Sequence, residues 1–344
     1  MSQRNQMWKG ITEHTFANRS FCSAATQTPS SEGGIMSEDN VLGFPGVKLP
    51  PTTRRLVKAY EAIEAEPPEQ IDYLHTVLCQ VGMPRKAVQG PTFARECGTV
   101  SLLLQAGQLR LRGEWVDQPL PYGTKPRLIL IQVCSQAVRK KSRVVKIGRS
   151  MREFMGWMGL EATGGAHGSV TGFKKQLQAL AACRMTLGMV RGGLDVTVKG
   201  VEPIERFEAW TAADDQAWPE TLELSARFYE TLIEVAVPLH PRAIAALSHS
   251  ALALDVYTWL AHRLHRAKPG TMVSWENLRD QFGQEYSDPK DFKKKFRRAL
   301  MAVRAVYPDA KVEETAGGLL LHPSRPPISK TLIQGGAPTA PKEK

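Results

Sequence analysis

One run of secondary-structure signals occurs twice in this chain of 344 residues at a nearly constant offset. In the first copy, Pro126 opens a helix from Arg127 to Lys141 with Leu128, Ile131, Cys134 and Val138 on one side. A β-type stretch, Val144–Ile147, precedes Ser150, which can cap a helix Met151–Met158 that Gly159 ends. After the loop EATGGAHG, Ser169 can cap a third helix reaching about Met185. Leu187–Arg191 and Leu194–Val198 around Gly192-Gly193 read as a hairpin, because paired glycines supply the positive φ of a tight turn.

The second copy starts at Pro241, where Ile244, Leu247, Ala251, Leu254, Tyr257, Leu260 and Leu264 mark one long amphipathic helix. Thr271–Val273 is extended, Ser274 caps Trp275–Phe282, and Gly283 ends that helix. Asp288-Pro289 then opens a helix to about Tyr307, and Lys311–Thr315, Gly317-Gly318 and Leu319–His322 form a closing hairpin. Ser150 and Ser274 stand 124 residues apart, and Gly192 and Gly317 stand 125 apart. Helix, strand, helix, turn, helix, hairpin is the order of a winged helix. The pattern predicts an α+β chain of two tandem winged-helix domains, over 51–215 (with an N-terminal extension) and 216–325. Residues 1–50, rich in Ser, Thr, Asn, Gly and Gln, and 326–344 read as disordered tails. The Pro-, Gly- and Lys-containing character of the second tail begins near His322, and Met36 is an alternative start.

Charge follows the repeat. Basic residues exceed acidic ones by 11 overall, but residues 139–191 alone carry a net +9 and residues 290–304 a net +6. The remainder is mildly acidic, and two concentrated basic patches call for a polyanion. With Phe292 at 0° on a helical wheel, Phe292, Phe296, Ala299, Leu300, Val303, Val306 and Tyr307 fall between −40° and 80°. Lys290, Lys293, Lys294, Arg297, Arg298 and Arg304 fall between 100° and 240°, with only Lys295 outside the segregation. A solvated face would mix in acids for i,i+4 pairing, yet Asp291 is the only acid from Lys290 to Arg304. The helix reads as a major-groove helix, with Arg297 and Arg298 suited to guanine edges and the lysines to phosphate. On the third helix of the first copy, Thr171, Lys174, Lys175 and Gln178 share the face opposite Phe173, Leu177 and Leu180. Earlier in the first copy, Arg139, Lys140 and Lys141 suit a helix C-terminus. Arg143, Lys146, Arg149 and Arg152 are left to track phosphates.

Other chemistries lack their residues. No run of 18 apolar residues spans a membrane, and the N-terminus has no apolar segment of a secretory signal. The five cysteines are far apart and form no C-x-x-C pair, so reduced cytoplasmic thiols, no disulfides and no metal site are expected. There is no phosphate-binding G-x-x-x-x-G-K-[ST] and no His-hydrophobe-His, and Gly164-Gly165-Ala166-His167-Gly168 follows a helix rather than a strand. His262 and His265 lack a third ligand, as does Asp214-Asp215. Neither catalysis nor a cofactor is expected.

Across residues 120–325 the chain resembles the plasmid replication initiators of the RepA type. The resemblance rests on Leu120-Pro121-Tyr122-Gly123 with Pro126-Arg127, on Gly148-Arg149-Ser150-Met151-Arg152-Glu153-Phe154-Met155, and on Thr163-Gly164-Gly165. It continues through Phe173-Lys174-Lys175-Gln176-Leu177, Ala253-Leu254-Asp255-Val256-Tyr257-Thr258-Trp259-Leu260, Ser274-Trp275, Gln281-Phe282-Gly283 and Gly317-Gly318-Leu319. It implies a bacterial cytoplasmic protein that binds repeated sites (iterons) in double-stranded DNA at a plasmid origin and helps open the duplex. It also implies recruitment of host replication initiator and helicase proteins, a homodimer in equilibrium with monomer, and autoregulation at its own promoter. A winged-helix transcriptional repressor without an origin role is the alternative.

Overall fold

The computed structural model describes residues 50–329, apart from 112, 166–167, 192–193, 202 and 207–217. The expected tail 1–50, all but its last residue, lies outside this range, as do Asp214-Asp215, the Gly192-Gly193 turn and the end of the second tail from 330. From Arg55 onward the described residues form one compact unit of mixed helix and strand.

The N-terminal part contributes α1 (Pro51–Ala65), β1 (Asp72–His75), α2 (Thr76–Gln80), β2 (Thr92–Cys97), β3 (Val100–Gln105), β4 (Gln108–Leu111) and β5 (Glu114–Asp117). The first copy follows as α3 (Thr124–Lys140), β6 (Val144–Lys146), α4 (Met151–Trp157), α5 (Ser169–Ala182), β7 (Arg184–Arg191) and β8 (Leu194–Val201). A bridge of β9 (Ile204–Arg206), β10 (Thr221–Leu224), α6 (Ala226–Val235) and β11 (Ala236–Leu239) leads to the second copy. That copy holds α7 (Pro241–Leu247), α8 (Ala251–Arg263), β12 (Thr271–Ser274), α9 (Trp275–Phe282), α10 (Pro289–Val306), β13 (Val312–Glu314) and β14 (Gly318–Leu321).

Local chemistry explains most boundaries. Ser150 Oγ accepts from Glu153 N at 3.1 Å, and Ser274 Oγ from Asn277 N at 3.1 Å. Asp288 Oδ1 accepts from Lys290 N at 2.8 Å, and Pro289 occupies the first helical turn. Each bond satisfies a donor that the helix start leaves orphaned. Three expectations need correction. Gly168, not Ser169, caps α5; Ser169 Oγ instead accepts from Thr163 N at 2.8 Å and donates to Glu161 O at 2.6 Å, tying down the preceding loop. Helix α5 also ends at Ala182, because the chain turns extended at Cys183 to enter β7. The long helix from Pro241 is two helices, since Ser250 adopts an extended conformation and its Oγ caps α8 by accepting from Ala253 N at 3.2 Å.

The hairpins of the two copies are built differently. In the second, β14 lies between β12 and β13, with Val273 opposite Leu319 and Glu314 opposite the same residue. In the first, β7 pairs with β8 on one side and β3 on the other, giving the order β2-β3-β7-β8. The alternation in Val100-Ser101-Leu102-Leu103-Leu104 turns Val100, Leu102 and Leu104 inward. Bridge strand β10 pairs with β6 of the first copy, just after the expected 215/216 boundary, and β1 pairs with β11. Helix α3 sits at the centre, with Leu128, Ile129, Leu130, Ile131, Val133 and Cys134 all buried, so it has no exposed stripe in its middle.

The start of the expected second tail is structured. Residues 322–329 pack on the body: Tyr307 Oη donates to Arg325 O at 2.7 Å, Ser324 N donates to Leu264 O at 3.3 Å, and Ile328 is buried. The burial of Ile328 is what 326–329 gain by staying ordered.

Candidate nucleic-acid interface

Helix α10 divides its faces as the wheel requires. Phe292, Phe296, Ala299, Leu300 and Val303 are buried against α7 and α8, and Phe296 meets Phe282, Phe292 and Trp275 at centroid distances of 5.6, 5.5 and 6.0 Å. Such an aromatic cluster fixes the helix rotation about its axis. Lys290, Lys294, Lys295, Arg297, Arg298 and Arg304 are exposed on the outer side. Among the described residues, Lys290, Lys294, Arg298 and Arg304 show no ion pair.

Lys293 and Arg297 are held instead. Lys293 Nζ lies 5.2 Å from the centroid of the Trp275 ring, and the Arg297 guanidinium carbon lies 5.4 Å from it. Arg297 also donates from Nε to Glu314 Oε1 at 2.6 Å, with Nη2 at 2.6 Å from the same oxygen. Glu314 stands on β13, so the hairpin reaches the helix through this pair. Sequence reasoning missed Glu314 and Trp275: the pairing is non-local, and only the capped Ser274-Trp275 dipeptide marked the place.

The first copy presents fewer free groups. On α5, Lys175 is exposed and Lys174 is half-buried, while Thr171 donates to Gly165 O at 3.0 Å. Gln178 is 9% exposed, which removes it from any exposed face. The wheel assumed a helix buried on one side, whereas α5 packs against α3 and is flanked by β4 and β9. Arg143 is likewise committed, pairing with Glu205 and Glu223 at 2.9 Å each. Arg152 donates to Ala162 O at 2.9 Å, and Arg139 to Ile71 O at 3.0 Å. Lys146 and Arg149 remain exposed, and Lys140 and Lys141 close α3 at its C-terminus.

Groups suited to other chemistry are buried apart. Burial pushes the Cys134 and Cys183 thiols up to about 12, which leaves them unreactive. His262 is pushed down to about 4 by burial and by Arg266, and His265 and Arg266 pair with each other at 2.9 Å. No group of three or more metal-ligating side chains occurs among the described residues. No helix among them is long and apolar enough to cross a membrane.

No curated protein matches the chain. A crystal structure of selenomethionine derivatives of domains 2 and 3 of RctB is similar at a TM-score of 0.44 and 9% identity, covering 71% of this chain and 96% of that one. Residues 120–277 match the family model described as plasmid encoded RepA protein. This segment holds the motifs from Leu120 to Trp275, and over it the chain is similar to that family.

Proposed function

We propose that this chain is a plasmid replication initiator that binds repeated duplex sites at its origin, promotes opening and recruits host replication proteins. The observation that carries the reading is α10, a helix whose outer side is cationic and whose inner side is aromatic, set beside a RepA-type segment. In this reading the second copy is a winged helix that places α10 in the major groove, and Arg298 and Arg297 face base edges there. Lys290, Lys293, Lys294 and Arg304 hold phosphates on either side. The first copy, itself a winged helix, adds Lys174, Lys175, Lys146 and Arg149 along the backbone. Its weaker charge on α5 makes it the positioning half. Dimers serve promoter binding, and monomers the origin.

The test is binding of the full chain to duplexes from the DNA flanking its own gene, against scrambled duplexes, at several salt concentrations. Preference for direct repeats with a steep salt dependence supports the reading. Equal and weak binding everywhere removes it. A plasmid carrying only this gene and those repeats then separates initiator from repressor: replication in a permissive host supports the first, and specific binding without replication supports the second.

A further inference from the structure

An acidic side chain on a surface meant for DNA is unfavourable unless it does something for a neighbour. Glu314 is such a residue, exposed on β13 and within hydrogen-bond distance of Arg297. We propose that Glu314, with Trp275, is a positioning residue that gives Arg297 its base specificity. The inference rests on the reading of α10 as the DNA-contacting helix.

The geometry is specific to one edge of the guanidinium. Glu314 Oε1 takes Nε and Nη2, the side-on edge, and leaves Nη1 and the outer hydrogen of Nη2 pointing onward as a fork. A fork of two parallel N–H groups is what guanine O6 and N7 accept. The plane of the group is set by Trp275, whose ring lies beneath both Arg297 and Lys293, one helical turn apart. Trp275 is itself buried, stacked edge-on against Phe296, and its backbone N donates to Gly317 O at 3.0 Å. The hairpin carrying Glu314 and the ring under Arg297 therefore belong to one rigid piece.

A free arginine samples many rotamers and loses that freedom on binding, whereas one already held in place loses less. The pair is half exposed, so its effect on stability is small. Its effect is on discrimination. Removing a merely repulsive acid tightens all DNA alike, and removing a positioning acid spares scrambled DNA while weakening the preferred site.

Full-length protein would select a preferred duplex from random-sequence DNA, and affinities for that duplex and a scrambled version would then be compared at one salt concentration. Glu314→Ala is expected to lower the preferred-to-scrambled ratio about tenfold, as is Arg297→Ala. The double variant should fall no further than Arg297→Ala alone, and Glu314→Gln, which keeps the acceptor oxygen, should stay nearer the parent. An unchanged ratio in Glu314→Ala, with both affinities tightened equally, overturns the positioning role while Arg297 keeps its own. If no sequence is enriched, or Arg297→Ala leaves the ratio untouched, the reading of α10 fails and this role with it.

Discussion

Arg127 and Asp255 meet through two parallel bonds, Nε to Oδ1 at 2.7 Å and Nη2 to Oδ2 at 2.9 Å, with both side chains less than one-tenth exposed. They stand on α3 and α8, the corresponding helices of the two copies, so the pair fastens one copy to the other. The remaining donors of Arg127 go to the carbonyls of Met83, Pro84 and Gly123. Arg85 adds a bond to Asp255 Oδ2 at 3.2 Å and pairs with Glu285, which Arg95 also meets at 3.1 Å. Burial alone would raise the Glu285 carboxyl, but Arg85 and Arg95 beside it hold it below the usual range.

Three arginines here share two carboxylates, so losing one carboxylate strands buried positive charge. Asp255→Ala is expected to destabilise the protein by about 3–5 kcal/mol. Urea unfolding of the variant against the parent measures this. A loss below ~1 kcal/mol would mean that water reaches the arginines and that the copies are held by apolar packing.

Two histidines cap helices from buried positions. His75 Nδ1 accepts from Val77 N at 3.2 Å, and His240 Nδ1 accepts from Arg242 N at 3.3 Å, so each must be neutral there. Burial pushes His75 down to about 4, and burial with Arg242 does the same to His240. Between the ordinary value of 6.5 and about 4 the unfolded chain binds more protons than the folded one. Their contribution is therefore complete above pH 6.5 and is lost as pH falls toward 4, on the order of 3 kcal/mol for each. His240→Asn keeps a capping acceptor without the titration. Melting temperatures from pH 7 to 4.5 should fall less steeply in that variant, and parallel curves would discount the histidine.

Gly318 opens β14 where a side chain has no room. A Cβ there would meet the backbone of Val273 and Ser274 across the sheet. Gly318→Ala is expected to cost more than about 2 kcal/mol, while Gly317→Ala, with open space around it, should be tolerated. Thermal unfolding of both variants distinguishes them.

The free cations of α10 should divide by chemistry. Arg298→Ala is expected to cost about 1–3 kcal/mol on a preferred duplex and to narrow its margin over scrambled DNA. Lys290→Ala and Lys294→Ala should weaken both duplexes alike and each lower the salt slope by about 1. Titrations at three salt concentrations read both effects, and Arg298 behaving like the lysines would place it on the phosphates.

What could be read from the sequence was what neighbouring residues decide. Ser150, Ser274 and Asp288 cap because the acceptor lies two or three residues from its donor, and Gly159 and Gly283 stop helices for equally local reasons. The apolar period ran on through Ser248–Ser250 and concealed the break that Ser250 makes. Arg143 was misplaced because its partners Glu205 and Glu223 come from elements far along the chain, and Gln178 because elements distant in sequence bury its helix. For the same reason the motif residues Arg127 and Asp255 stood in plain view with no sign that they touch. Along β3 burial alternates through Val100, Leu102 and Leu104, yet nothing local says that β7 is its neighbour.

The pairing of β1 with β11, Asp72 opposite Leu239 and His75 opposite Ala236, imposes an order on synthesis. When β1 leaves the ribosome its partner has not been made, and its edge stays open until translation has passed both the first copy and the bridge. Contacts so far apart in the chain form late and slowly. A fragment cut between the copies would carry the first copy's helices but an unpaired β1, and is expected to depend on chaperones or to aggregate. The two copies are repeats in pattern, and a single unit in the making.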